Sequence, residues 1–167
     1  MVRGVVAGGI AAVAGRLPWR SAQPDALELL EQDHRRFESL LKQGEETTER
    51  AIQARAELLD TLTRELNEHE LKEEKFLYPA LEAHPEAKPI VLEAYQEHHF
   101  ADVIVKELHG VESGNEQWGA KFTVLKENIE HHIQEEEGEM FRIARAVLSR
   151  EELIELGERM SQPPSRL

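Results

Sequence analysis

The chain contains no cysteine. That excludes disulfides, thiolate-ligated metals, iron–sulfur clusters and any thiol redox chemistry of its own, so a metal bound here takes nitrogen and oxygen ligands. Positive charge is scarce too: 20 Lys and Arg stand against 33 Asp and Glu, a formal net charge of -13. With no basic stripe interleaved with aromatics to neutralise phosphates, nucleic acid is excluded as a partner. No apolar run approaches the roughly 20 residues that a bilayer-spanning helix needs, so no transmembrane span is expected. Phosphate-cradling glycine loops, a nucleophile elbow and a Ser/His/Asp arrangement are absent as well.

What is present is Leu, Glu, Ala and Lys in long stretches without Pro or Gly, the composition of an all-helical fold. At 167 residues the chain fits one domain with a substantial core. Residues 1–23 stand apart as an apolar, Gly/Ala-rich segment. Gly4, Gly8, Ala11 and Gly15 make a small-residue face that suits packing or homo-oligomerisation. As an export signal the segment is poor, because Gly8 and Gly9 interrupt its apolar run. The chain is therefore expected in a bacterial cytoplasm, with secretion or membrane association as alternatives.

Residues 24–148 read as a bundle of long helices, and 149–167 as a short helix and tail. Helix A spans Asp25 to Gln43, stopped by Gly44, with the seam Leu27, Leu30, His34, Phe37 and Leu41. Helix B, from about Thr48 to Ala83, has the seam Ile52, Arg55, Leu59, Leu62, Leu66, His69, Glu73, Phe76 and Ala80, bent at Pro79. Helix C, to about Val111, carries Val91, Ala94, His98, Ala101, Val105 and Leu108. Helix D, Glu116 to Leu148, carries Phe122, Leu125, Ile129, His132, Glu136, Glu139 and Ile143, and with Arg142 in place of a proline it is expected to run straight. Ser149 and Glu152 form a capping-box pattern for the short fifth helix.

The seams contain an internal repeat. Helices B and D each carry His-x-x-x-Glu, His69 with Glu73 and His132 with Glu136, followed by an aromatic nine residues after the His. Helices A and C carry the dyads Asp33-His34 and Glu97-His98. Residues four apart share a helix face, so a bundle brings one His from each helix and two Glu together. Such groups buried without a partner cost several kcal/mol, and a cation removes the cost. Four imidazoles and several carboxylates exceed one tetrahedral zinc and suit two carboxylate-bridged metals, iron or manganese.

Asp25 to His34 and His69 to Pro79, the latter with His-x-x-x-Glu-Glu ending in Tyr-Pro, resemble the hemerythrin-like, HHE cation-binding family over roughly 25–148. The resemblance implies an up-down four-helix bundle with a non-haem di-iron centre, manganese or zinc being alternative metals. It implies His34, His69, His98 and His132 as imidazole ligands and Glu73 and Glu136 as bridges. It also implies binding or sensing of oxygen, iron or a related small molecule, or a di-iron enzyme acting on peroxide, oxygen or nitric oxide. Oxygen-carrying hemerythrins have His-x-x-x-His on the third helix, where this chain has His98 and Asp102; the missing imidazole argues against reversible oxygen carriage. Glu70 is similar to the variant in the iron-sensing F-box hemerythrin-like domain, where the residue after the second-helix His is a ligand. Glu70 is thus an expected ligand with Asp102 its competitor. Glu38 is expected to orient a ligand His, and Tyr78 and Tyr95 to serve in aromatic packing, with hydrogen-bond or electron donation beside the site as the alternative.

Overall fold

The computed structural model describes residues 23–162. The oligomerisation face and export reading placed on residues 1–23 fall almost wholly outside this range.

Helix α1 (Ala26–Glu45) opens with a capping box in which the Asp25 side chain accepts from the Glu28 amide and Glu28 returns the bond to the Asp25 amide. It does not stop at Gly44, which is buried inside it. A β-carbon there would lie 2.1 Å from the Phe122 ring, so the glycine serves close approach rather than termination. Helix α2 (Ile52–Lys72) starts later than the sequence suggests, and Ile52 is exposed rather than in the seam. A π-helical turn (Glu73–Leu77) joins α2 to the short α3 (Tyr78–Glu82), where Pro79 is tolerated in the first turn. Helix α4 (Lys88–His109) follows, then α5 (Glu116–Glu135), a second π turn (Glu136–Met140), α6 (Phe141–Val147) and α7 (Arg150–Met160).

The second π turn corrects the expectation that helix D runs straight. Because the same turn occurs where there is no proline, Pro79 is not its cause. What the two turns share is an opening Glu that is fully buried, Glu73 and Glu136. Each turn widens the ladder so that the amide five residues on, Tyr78 or Phe141, bonds the Glu carbonyl. The downstream seam therefore shifts by one residue. Leu77, Tyr78 and Leu81 are buried where Phe76 and Ala80 were expected, and Met140, Phe141 and Ala144 where Glu139 and Ile143 were expected.

In the up-down bundle α1 packs on α2 and α5, and α4 on α5 and α2. Helix α7 lies across the start of α1. A β-carbon at Gly157 would come within 2.8 Å of the Pro24 carbonyl oxygen. The apolar core falls into two clusters. One gathers Leu27, Leu30, Leu77, Val91, Phe141 and the α7 residues Leu153, Leu156 and Met160; the other gathers Phe37, Leu41, Leu62, Leu66, Phe122 and Leu125. Between them, one turn deep on every long helix, lies a layer of buried ionisable side chains. At the far end from α7, buried Arg55 donates to Thr47 Oγ1 (2.8 Å) and the Ser113 carbonyl (2.9 Å) and lies over the Trp118 ring.

Candidate metal centre

His34 enters the layer from α1, His69 from α2, His98 from α4 and His132 from α5, and all four are buried. Their Nε2 atoms point at two carboxylates. His34 Nε2 lies 3.3 Å from Glu136 Oε2, and His69 Nε2 3.3 Å from Glu73 Oε2. His98 Nε2 is 3.2 Å from Glu73 Oε2, and His132 Nε2 is 3.4 Å from Glu136 Oε2. The donors thus form two groups, His34, His69, Glu73 and Glu136, and Glu73, His98 and His132. Glu73 belongs to both, and Glu136 touches an imidazole of each, the placement a bridging carboxylate requires.

Four of these atoms, Nε2 of His34 and His69, Oε1 of Glu73 and Oε2 of Glu136, are buried without a hydrogen-bond partner. Each orphaned polar atom costs about 1–3 kcal/mol, and a shared cation removes all four penalties at once. The donor set is all nitrogen and oxygen, which fits iron, manganese or zinc.

The outer nitrogens are equally ordered. His34 Nδ1 lies 2.9 Å from Glu137 Oε1, His69 Nδ1 3.3 Å from Asp33 Oδ2, His98 Nδ1 3.0 Å from Glu74 Oε1, and His132 Nδ1 2.8 Å from Glu97 Oε2. An ionised carboxylate only accepts, so each Nδ1 carries the proton and each Nε2 turns its lone pair inward. The four carboxylates are the sequence neighbours of the inner groups: Asp33 precedes His34, Glu97 precedes His98, Glu74 follows Glu73 and Glu137 follows Glu136. Each orients the imidazole of another helix. Glu38, expected in this role, instead pairs with Arg35 at the surface, 2.7 Å away.

Charge is distributed unevenly over the layer. Burial, reinforced by Glu136, pushes the Glu73 carboxyl well above its ordinary range. Glu136 is held well below its range although burial opposes this, because His132, His34 and His69 surround it. Burial lowers His69 to about 4, against the pull of Asp33. Burial would also raise Asp33, but bonds from His69 and Lys72 bring it below its ordinary value.

Tyr78 is the functional residue that aromatic packing alone does not describe. Its hydroxyl, fully buried, lies 3.0 Å from Glu136 Oε1, 3.3 Å from Glu73 Oε2 and 3.2 Å from His98 Nε2. Burial and the two carboxylates raise its pKa well above 10, so the phenol keeps its proton. The corresponding residue in the other half, Phe141, only stacks on His34 with ring centroids 6.1 Å apart.

Glu70 lies in neither donor group. It is half-buried on the wall of a small cavity, about 10 Å³ and so about one water in size, that also touches His69, His98 and His132 between the apolar walls of Phe37, Leu66 and Ile129. Burial raises Glu70 to about 7. Asp102 is exposed and does not line the cavity. His99, His109 and His131 are exposed, and none belongs to the buried groups.

A family model described as the hemerythrin HHE cation binding domain matches residues 25–144. The crystal structure of a hemerythrin HHE cation binding domain-containing protein from Mycobacterium kansasii is similar to this chain at 27% identity, covering 83% of each chain with a TM-score of 0.72. No curated protein matches.

Proposed function

Because the chain belongs to the hemerythrin HHE cation-binding family, we propose that its buried layer holds two iron ions and binds or senses oxygen, iron or a related small molecule. The observation that carries this reading is the pair of donor groups sharing Glu73, with orphaned buried atoms on both sides. His34 and His69 would hold one ion and His98 and His132 the other, with Glu73 and Glu136 bridging. Glu70 is the additional carboxylate, on the side of the cavity. Bound iron supplies open coordination positions and redox chemistry toward oxygen or peroxide.

The chain's own residues set what reaches that centre. The water-sized cavity beside His69, His98 and His132 suits a very small ligand. Asp33, Glu74, Glu97 and Glu137 fix the four rings, and Tyr78 keeps a proton beside both bridging carboxylates.

That proton favours a second reading, an enzyme that acts on peroxide, oxygen or nitric oxide, since such reactions consume protons. Metal analysis of the purified protein is expected to give two irons per chain, and a metal-free yet fully folded chain would sink the proposal. Optical spectra recorded with and without oxygen then test for ligand binding. Peroxide turnover abolished by Glu73→Ala would favour the enzyme over the binding protein.

A further inference from the structure

The two halves of the layer differ at the surface just outside it. In the first half Asp33, which orients His69, is neutralised by the Lys72 ammonium 2.6 Å away. The equivalent carboxylate in the second half is Glu97, which orients His132. The position equivalent to Lys72, three residues after the helix's buried His, is Glu135. Where the first half has a fixed cation, the second has another carboxylate.

Between the two carboxylates stands His131. Its Nε2 lies 3.4 Å from Glu97 Oε1 and 3.5 Å from Glu135 Oε1, and donor atoms of all three residues fall within 4.8 Å of one another. Among the described residues neither Glu97 nor Glu135 pairs with a Lys or Arg. Donors bound at roughly 2.0–2.2 Å to one ion are separated by about 3.0–3.5 Å, which matches both imidazole-to-carboxylate spacings. His131 and Glu135 sit four apart on α5 and Glu97 comes from α4, so two rigid elements hold the three donors.

We infer that Glu97, His131 and Glu135 form a separate surface site for a divalent cation, which takes the place that the Lys72 ammonium fills in the first half. The site is half-open to solvent, since the His131 side chain is 58% exposed while Glu97 is 13% exposed. Water therefore completes the ion's coordination, and binding is weaker than in the buried layer. Glu97 spans both regions, with Oε2 on the buried His132 and Oε1 facing the ion.

The test is a calorimetric titration of the protein, purified with its buried metal in place, with Zn²⁺. Wild type is expected to take up one further zinc per chain. His131→Ala and Glu135→Gln should each weaken that uptake at least tenfold, while metal analysis shows the buried content unchanged. His131→Ala touches none of the buried donors and is the cleaner variant. Absence of the further zinc in wild type would overturn the inference. Equal uptake in both variants would do so too, and so would anomalous diffraction from zinc-soaked crystals placing the ion elsewhere. A chain purified without buried metal refutes the di-iron reading; zinc then also enters the buried donors, and the surface site is read from the uptake that His131→Ala loses relative to wild type, so the two failures are distinguishable.

Discussion

The two halves of the bundle place the same inner groups in the same way and then diverge. His34, His69 and Glu73 have their counterparts in His98, His132 and Glu136, each imidazole backed by a carboxylate on its outer nitrogen. Around them Tyr78 corresponds to Phe141, Lys72 to Glu135 and Pro79 to Arg142. The inner groups answer to one requirement, lone pairs aimed at a cation. The surrounding residues differ, so the two donor groups are chemically unlike even though their imidazoles match. The Tyr78 hydroxyl reaches His98 but neither His34 nor His69, whereas His34 stacks on the apolar ring of Phe141; the cavity with Glu70 on its wall touches His69, His98 and His132.

The largest effect should follow from removing what the halves share. Glu73→Ala and Glu136→Ala each remove a carboxylate that both donor groups reach and, on the proposed reading, are expected to abolish stable metal occupancy, as read by metal analysis. Chelation of the wild type should lower Tm by about 10 °C, because ligand binding to the folded state contributes about 4 kcal/mol at a thousandfold excess over Kd. An unchanged Tm on chelation would remove the structural role of the metal.

Next come the orienting carboxylates. Asp33→Ala frees the His69 ring and Glu74→Ala the His98 ring, and each should cost about 10–100-fold in metal affinity. Metal competition assays on the two variants show whether one position fails before the other. Equal loss of both ions in either variant would mean the positions are not separable.

Exchanging Tyr78 and Phe141 addresses the divergence directly. Tyr78→Phe removes the hydroxyl from between Glu73 and Glu136 and should destabilise by about 1–2 kcal/mol, with a shift in the visible spectrum of the bound metal. Phe141→Tyr in the same background should not restore that spectrum. Restoration would show the halves to be interchangeable.

The smallest effect concerns pH. In the fold Glu70 keeps its proton up to about 7, against an ordinary 4.5. The unfolded chain releases the proton first, so this group's contribution is intact below 4.5 and is lost as pH rises through 7. Glu70→Gln should therefore stabilise metal-free protein by about 2 kcal/mol at about pH 8 and leave it unchanged near pH 4. In the metal-loaded protein the same substitution should lower affinity instead, and a gain in both states would show that Glu70 is no ligand.

Much of this arrangement was legible in the chain, because burying a charged group is costly enough to mark its position. Placing His98 and His132 inside needed only the helical seam, and the structure buries both while leaving their neighbours His99 and His131 exposed. The all-helical fold was legible in composition and helical periodicity, and the family in the resemblance carried by Asp25 to His34 and His69 to Pro79. The π turns were not, since a seam projected at constant pitch cannot register a widened turn, and every assignment beyond Glu73 and Glu136 slipped by one. The orienting carboxylates were in view, as the dyads Asp33-His34 and Glu97-His98, but a side chain that serves a neighbouring helix leaves no periodic trace on its own. Tyr78 was underestimated for the first of these reasons: at constant pitch it points away from Glu73.

Each widened turn holds one residue more than an α-helical ladder would use to cover the same rise. The surplus leaves the faces above and below it aligned, which is why Met140, Phe141 and Ala144 still meet the lower core. Deleting Gly138, whose absent side chain would touch nothing, should return the turn to ordinary pitch and keep that core. The bundle would remain, with the carbonyl of Glu136 bonded at the ordinary helical spacing. The slack in the ladder therefore belongs to the centre, not to the scaffold that carries it.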